Sequence, residues 1–271
     1  MTEYDDHYIP NSLNAHIDTG QFTNELTRNL DPEVIDTYAR IENIYWRSFS
    51  WTSVKPEQPS DDALICRYLS PKKFLKFVSD REIYFPTSTM FADPLECTFH
   101  PDYDDAIKQV LTSYEINDFD WTQFVNLKKA EWNVSCWTLL DSYYDDHLLW
   151  SAYSEGSAGV GITIRYGTLR KYLEDVVSTL DVDGQLQCGR VSYSDLKILP
   201  FNKHPIFRSE NEIRFAFRHF APGPKGIDMT FIRNEFGLRV SPTASTQDFN
   251  SVRKIWRKLI GNERIQWPGR T

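Results

Sequence analysis

The chain has 271 residues and carries 30 Lys and Arg against 38 Asp and Glu, a formal net charge of −8 at pH 7. Because affinity for nucleic acid comes from a basic footprint, this balance argues against a general nucleic-acid binder. Its apolar runs are far shorter than the roughly 20 residues that cross a bilayer, and the acidic first residues lack a secretory leader. We expect a cytoplasmic protein that does not enter membranes.

The spacing of cysteines and histidines excludes the common zinc-binding patterns. Cys66, Cys97, Cys136 and Cys188 are at least 31 residues apart, and the six histidines are scattered. A zinc ribbon or a disulfide-rich secreted scaffold needs closer, repeated spacing. We therefore predict reduced, buried cysteines and no metal held by the protein.

Composition divides the chain into four segments. Residues 1–30 form a polar arm, and residues 31–60 contain a helix, capped by Asp31 with Pro32 in its first turn, and a linker rich in proline. Residues 61–245 form the core domain. Residues 246–271 are an amphipathic helix and a tail, in which Asp248 or Asn250 caps the helix.

Within the core, alternating apolar patterns predict strands at 63–68, 82–85, 133–137, 159–164, 189–193, 212–217 and 237–240. A helix begins at Ser70 and Pro71, two helical stretches lie within 103–131, and a further helix stops at Gly156. The order predicts an α+β fold: one mixed α/β domain with a largely antiparallel central sheet flanked by helices. The basic side chains of the last helix are interpreted as a solvated face.

Several side chains next to these strands could bind a ligand. Arg67 could hold a phosphate or carboxylate in its guanidinium fork, or form a structural salt bridge. The loop after Tyr84 carries Asp93 and Glu96, which either present two carboxylates or serve a turn. Ser135 could bind a ribose hydroxyl or only the backbone.

Glu210 and Glu212 form the motif that points most specifically to catalysis. Their spacing places both carboxylates on one side of an extended strand. Two close carboxylates repel each other, so one pKa should rise above the other, as acid or base catalysis requires. The structural alternative is that Glu212 pairs with Arg214 or Arg67. Gly159 and Gly161 precede a strand and do not form a dinucleotide fingerprint, since they cannot open a helix toward a pyrophosphate.

The ordered set of motifs resembles the bacterial domain of unknown function 2971 family. The set comprises Arg-Tyr at 67–68, Tyr-Phe at 84–85, Asp-Pro-x-Glu at 93–96, Ser-Cys-Trp at 135–137, Leu-Leu-Trp-x-x-Tyr at 148–153 and Glu-x-Glu-x-Arg at 210–214. It covers about residues 63–218. The chain departs from the family pattern at Ala92, where Asn is usual, and at Phe207, where Trp is common. The family label implies no activity.

A more distant similarity, to arginine-specific mono-ADP-ribosyltransferases, does imply an activity. Those enzymes carry an Arg, a Ser and a Glu-x-Glu pair in the same chain order. The resemblance implies an ADP-ribosyltransferase-like fold in which Arg67 binds the NAD pyrophosphate and Ser135 orients the nicotinamide ribose. Glu212 would stabilise the oxocarbenium-like transition state, and Glu210 would activate the acceptor.

The same resemblance implies NAD as a substrate and no metal. Tyr84 or Tyr153 would stack on the nicotinamide, and the remaining candidates for NAD contact are Tyr68, Trp137 and Trp150. The implied function is an NAD-dependent ADP-ribosyltransferase or an NAD glycohydrolase in a bacterial toxin or defence system. A protein or a nucleic acid would be the acceptor.

Two other functions fit the same residues. In the first, the chain is a non-catalytic module that binds a nucleotide or a protein, and Arg67, Glu210, Glu212 and Arg214 form a structural network. In the second, Asp93, Glu96, Glu210 and Glu212 hold a divalent metal in a nuclease or hydrolase. The transferase requires Arg67, Ser135 and Glu212 in one cleft, whereas the metal site requires Asp93 or Glu96 beside Glu210 or Glu212.

Overall fold

A computed structural model provides the coordinates of the chain. It describes residues 32, 36, 56–91, 96–97, 108–109, 112, 120–140, 146–153, 159–180, 183–193, 200–218, 223–262 and 264–266.

Within the described residues, nine strands form two sheets. They are β1 (Leu64–Leu69), β2 (Glu82–Phe85), β3 (Trp132–Leu140), β4 (Val160–Arg165), β5 (Asp183–Arg190), β6 (Glu212–Arg218), β7 (Lys225–Asp228), β8 (Gly237–Val240) and β9 (Ile265–Gln266). Seven of them form the central sheet in the order β5-β6-β3-β1-β4-β8-β9, and β2 pairs with β7 in a small second sheet. Every described pairing is antiparallel except that of β8 with β9.

Five α-helices are described: α1 (Pro71–Asp80), α2 (Trp121–Ala130), α3 (His147–Tyr153), α4 (Tyr166–Val177) and α5 (Thr246–Leu259). Apolar stripes of α1, α4 and α5 pack in one cluster with Ile65, Ile162 and Leu238, which project from the same face of the central sheet. Helix α3 packs on the opposite face, where Leu149 and Trp150 contact Cys66 and Tyr68. The central sheet therefore has an apolar core face and a second, more polar face.

The central sheet divides beside Arg67. Strand β1 pairs with β3 only through residues 64–66, opposite residues 138–140. Nearer the start of β3, Thr87 bridges Asn133 and the Val134 amide donates to the carbonyl of Pro86. Residues 86–87 thus pair with β3 where β1 would otherwise continue, and the two strands separate beyond their last paired residues. We call the place where they separate the β1–β3 gap.

Residues 56–58 lie along β5, an outer strand of the central sheet. The Arg190 amide donates to the Glu57 carbonyl at 2.8 Å, and the Gln58 side chain donates to the Cys188 carbonyl at 2.5 Å. Gly189 makes this approach possible, since its φ is +145° and a Cβ there would lie 2.6 Å from the Pro56 Cβ. The proline-rich segment predicted as a linker is thus in contact with the domain.

The structure confirms the α+β class and the largely antiparallel sheet. The predicted strand at 82–85 has the observed bounds, and so does the strand at 237–240. Pro32 and Asp36 are helical, as the first predicted helix requires, whereas Gly156 lies outside the described residues. Among the helices that are described, none is long and apolar enough to cross a membrane.

Several predicted boundaries were wrong, and the strand expected at 133–137 extends to Leu140. The strand expected at 189–193 is β5, Asp183–Arg190. Its mostly polar sequence makes the alternation of inward and outward side chains hard to recognise. The cap of α5 is Ser245, whose hydroxyl accepts from the Asp248 amide, so Asp248 lies inside the first turn. Helix α4 was not predicted from the sequence, because it follows β4 without a turn and has Gly167 near its start.

Candidate functional site

Arg67 lies at the β1–β3 gap and points toward β3. Its Nη1 donates to the carbonyl of Tyr84 at 2.9 Å and to the hydroxyl of Ser135 at 3.0 Å. Arg67 stands opposite Ile162 of β4 and therefore on the core face of the sheet. Both partners of the guanidinium are neutral oxygens.

The charge of Arg67 has no carboxylate partner within the described part of the chain. Burial lowers the pKa of this guanidinium, and the groups that oppose the shift are Cys136, Tyr153 and Tyr84 rather than Asp or Glu. A half-buried guanidinium normally pairs with an acid, since desolvating an uncompensated charge is costly. Arg67 is therefore suited to receive an anion from outside the chain.

Ser135 is fully buried and accepts two hydrogen bonds. Besides Arg67, the indole N–H of Trp137 donates to its hydroxyl at 3.0 Å. Trp137 is itself buried in the apolar core. Ser135 thus holds Arg67 in place, and two residues that the transferase motif names are in direct contact.

Aromatic side chains border the region around Arg67. Tyr84 is partly buried and its hydroxyl approaches the sulfur of Met90, which is exposed. Tyr153 on α3 has 39% of its surface exposed and stacks on Tyr68 with ring centroids 6.4 Å apart. These rings provide flat apolar surface next to a cation.

Glu212 belongs to a buried network on the other face of the sheet. Its carboxylate accepts from Arg214 Nε at 2.8 Å and from Lys203 Nζ at 3.1 Å. Arg214 also contacts Glu96, the carbonyl of Pro200 and the sulfur of Cys97. The network joins the segments at 96–97 and 200–203 to β6.

The opposite charges within this network shift the pKa values of its acidic and basic side chains. Burial alone would raise the pKa of Glu212, but Arg214 and Lys203 outweigh it and lower that pKa to about 2. Burial raises the pKa of Glu96, and Arg214 and Lys203 offset only part of this effect. Burial would lower the pKa of Lys203, yet Glu212 and Glu96 reverse the direction and raise it. Glu212 is therefore a fixed anion at neutral pH.

The sheet separates Ser135 from Glu212. Ser135 is opposite Phe215 and Glu212 is opposite Thr138, so the register places their side chains on different faces. The two sites still have common neighbours, because Cys136 and Tyr153 interact electrostatically with Arg67 on one side and with Glu212 on the other. The motif residues are thus divided between the two faces of the sheet, with Arg67 and Ser135 on the core face and Glu212 on the other.

Two other candidates, Tyr68 and Trp150, belong to a third cluster. The hydroxyl of Tyr68 donates to Asp146 at 2.7 Å, and Arg239 donates to the same carboxylate at 2.6 Å. Trp150 packs edge-on against Tyr68, with ring centroids 4.8 Å apart, and Arg239 lies over its ring. Both residues are buried, so their described contacts are with the protein itself.

Glu210 is half-buried and pairs with Lys203 at 2.7 Å. Asp93 lies outside the described residues. Glu96 does lie beside the Glu212 network, as the metal hypothesis requires, but Arg214 and Lys203 occupy the space between these carboxylates. In the described ranges, no group of three or more metal-type ligands is arranged to hold an ion.

Lys203 and Asp146 were not among the predicted site residues. Lys203 lies seven residues before Glu210 in a stretch without regular secondary structure, and Asp146 precedes α3, so periodicity does not connect either of them to the site. Only the charge of Glu210 and Glu212, which requires a compensating cation when buried, signals that a residue such as Lys203 must exist.

These features define a mixed α+β domain in which Arg67 has no carboxylate partner among the described residues, while Arg214 and Lys203 pair with Glu96, Glu210 and Glu212 on the other face of the sheet. No protein-family model matches the chain, and no curated protein or solved structure matches it significantly.

Proposed function

We propose that the chain binds an anionic nucleotide at the β1–β3 gap, with Arg67 on its phosphate. The observation that carries this proposal is that Arg67, half-buried, donates to two neutral oxygens and to no described carboxylate. Both hydrogen bonds use Nη1, and a guanidinium binds phosphate through parallel N–H groups of its fork. Tyr84 and Tyr153 supply surfaces on which a base or a nicotinamide ring stacks.

NAD is the first candidate ligand, because the motif order resembles that of NAD-dependent transferases. In this proposal the Glu212 network is structural: both carboxylate oxygens already accept from Arg214 or Lys203. The proposal includes a cytoplasmic location, where NAD and other nucleotides are abundant.

The second candidate function is cleavage of NAD by ADP-ribosyl transfer or hydrolysis. The observation that favours it is the hydrogen bond between Arg67 and Ser135, the first two residues of that motif. The bond between nicotinamide and ribose would break, nicotinamide would leave with the electron pair, and an acceptor or water would attack the ribosyl carbon and lose a proton. Ionised Glu212 would stabilise the positive charge, in the toxin or defence role that the resemblance implies.

Calorimetric titration of the purified protein with NAD, ADP-ribose and ATP tests the first proposal. Arg67→Met should weaken binding by about 10-fold or more, since hydrogen bonds to charged groups contribute about 1.5 to 3 kcal/mol. Arg165→Met is the matched control, because Arg165 is exposed and pairs with Asp62 away from the gap. Equal binding by parent and Arg67→Met, or no binding by the parent, would overturn the proposal.

Release of nicotinamide from NAD tests the second function. The parent protein and Glu212→Gln are compared with cell lysate present as a source of acceptors. Release that depends on Glu212 establishes NAD cleavage. Binding that depends on Arg67 without any release identifies a binding module and rejects the enzyme.

A further inference from the structure

Positive charge is concentrated on two helices of this acidic protein. Helices α1 and α5 together carry seven basic residues and two acidic ones, although the whole chain has a net charge of −8. The basic residues are Lys72, Lys73, Lys76, Arg253, Lys254, Arg257 and Lys258. Five of these side chains belong to exposed residues on the described surface and a sixth, Lys76, is exposed and paired with Asp80.

The two helices present one common outer surface. Both bury their apolar stripes on the core face of the central sheet, and they contact each other through Phe74 and Trp256, whose rings stack with centroids 6.5 Å apart. The side of each helix opposite its buried stripe therefore points away from the sheet in the same general direction. We call this the α1–α5 surface.

Four lysines on this surface make no ion pair with the described residues: Lys72, Lys73, Lys254 and Lys258. Some described basic residues elsewhere pair with nearby acids, as Arg165 does with Asp62 and Lys171 with Asp61. Others, such as Arg208 and Lys225, also make no ion pair with the described residues but do not lie on two packed helices. The chain has eight more acidic than basic residues, yet no described acidic side chain pairs with these four lysines. Their positive charge is therefore available to an external polyanion.

We propose that the α1–α5 surface binds the phosphate backbone of double-stranded nucleic acid. Lysines act as mobile point charges toward phosphates, and their contribution does not depend on sequence. A single strand would need exposed aromatic rings for base stacking, whereas Phe74, Phe77 and Trp256 are buried.

An anionic membrane fits this surface less well. Helices that lie on membranes insert an apolar face between the lipids. The apolar faces of α1 and α5 are already packed in the protein core, and Leu75 is the large apolar side chain that these two helices leave exposed. The proposal involves neither Arg67 nor NAD, so it stands or fails separately from the nucleotide site.

Fluorescence anisotropy with a labelled DNA duplex of mixed sequence tests the proposal. Four lysine contacts imply that the affinity of the parent falls on the order of 100-fold between about 50 and 200 mM salt. The variant with all four lysines changed to Gln should bind more weakly at low salt, and its slope of log affinity against log salt should be smaller by about 3 to 4.

The matched control removes four positive charges outside α1 and α5. It carries Gln in place of Arg165, Lys171, Arg208 and Lys225, and it should keep most of the salt slope. Equal loss in both variants would mean that only net charge matters and would overturn the proposal. Binding of the parent to vesicles rich in phosphatidylserine but not to the duplex, or binding to neither, would also overturn it. Circular dichroism verifies that both variants are folded.

Discussion

Arg67 and Arg214 lie on the same sheet, but only Arg214 of the two has carboxylate partners among the described residues. Arg214 is fully buried between Glu96 and Glu212, and these partners outweigh burial and raise its pKa. Arg67 has Ser135 and the Tyr84 carbonyl as partners, and burial lowers its pKa. A guanidinium that is paired with carboxylates of the protein stabilises the fold. One that has no described carboxylate partner is suited to bind an anionic ligand. The following predictions test this contrast.

Replacing Arg214 should have the largest effect. Arg214→Met leaves Glu96 and Glu212 facing each other in a buried region with Lys203 as the remaining cation of the network. Removing one partner of a buried pair typically costs about 3 to 5 kcal/mol, and urea unfolding measures it. A loss below about 1 kcal/mol would show that the network does not stabilise the fold.

Acid should remove the stabilisation that Glu212 provides. The pKa of Glu212 is about 2 in the folded protein against an ordinary value of 4.5. A folded-state pKa below the unfolded one gives stability that is present above the unfolded value and lost as the pH falls through the folded value. The difference in unfolding free energy between the parent and Glu212→Gln should therefore shrink between pH 4.5 and 2.

Comparing urea unfolding of the two proteins over this range measures the effect. The variant serves as its own control, because Gln at 212 does not titrate while the other acids still do. A difference that stays constant down to the lowest pH would contradict the shifted pKa of Glu212.

Replacing Arg67 should have the smallest effect on stability. Arg67→Met loses two hydrogen bonds but also removes a desolvated charge, so the unfolding free energy should change by about 1 kcal/mol or less. The same variant should lose nucleotide affinity, as described above. If Arg67→Met destabilises the fold as strongly as Arg214→Met, the guanidinium has a structural partner and the contrast fails.

Most of the central sheet was predictable from local sequence. Strands β1, β3, β4, β6 and β8 carry continuous or alternating apolar residues, because the core face selects them. The elements that were missed or misplaced lack that signal. Strand β5 is a polar edge strand, β7 has four residues with one buried among them, and α4 begins directly at the end of β4.

The residues of the candidate site were predictable from the sequence, but which of them lie on the same face of the sheet was not. The sequence named Arg67, Ser135, Glu212 and Arg214, and the pairing of Glu212 with Arg214 was one of its alternatives. It could not show that Ser135 and Glu212 lie on opposite faces, because this depends on the register between β3 and β6. Nor could it show the divergence of β1 and β3, which a segment at residues 86–87 causes.

The segment at residues 56–58 has a consequence for self-association. An uncovered outer strand exposes unpaired amides and carbonyls, which can recruit a strand from another molecule and start aggregation. Here the Glu57 carbonyl and the Gln58 side-chain amide form hydrogen bonds with the backbone of β5. Pro56 lies against Gly189 and has no amide hydrogen that could pair with a strand of another molecule. The proline-rich stretch thus shields the edge of the sheet, and a shortened chain that begins after it would expose a border through which copies can join.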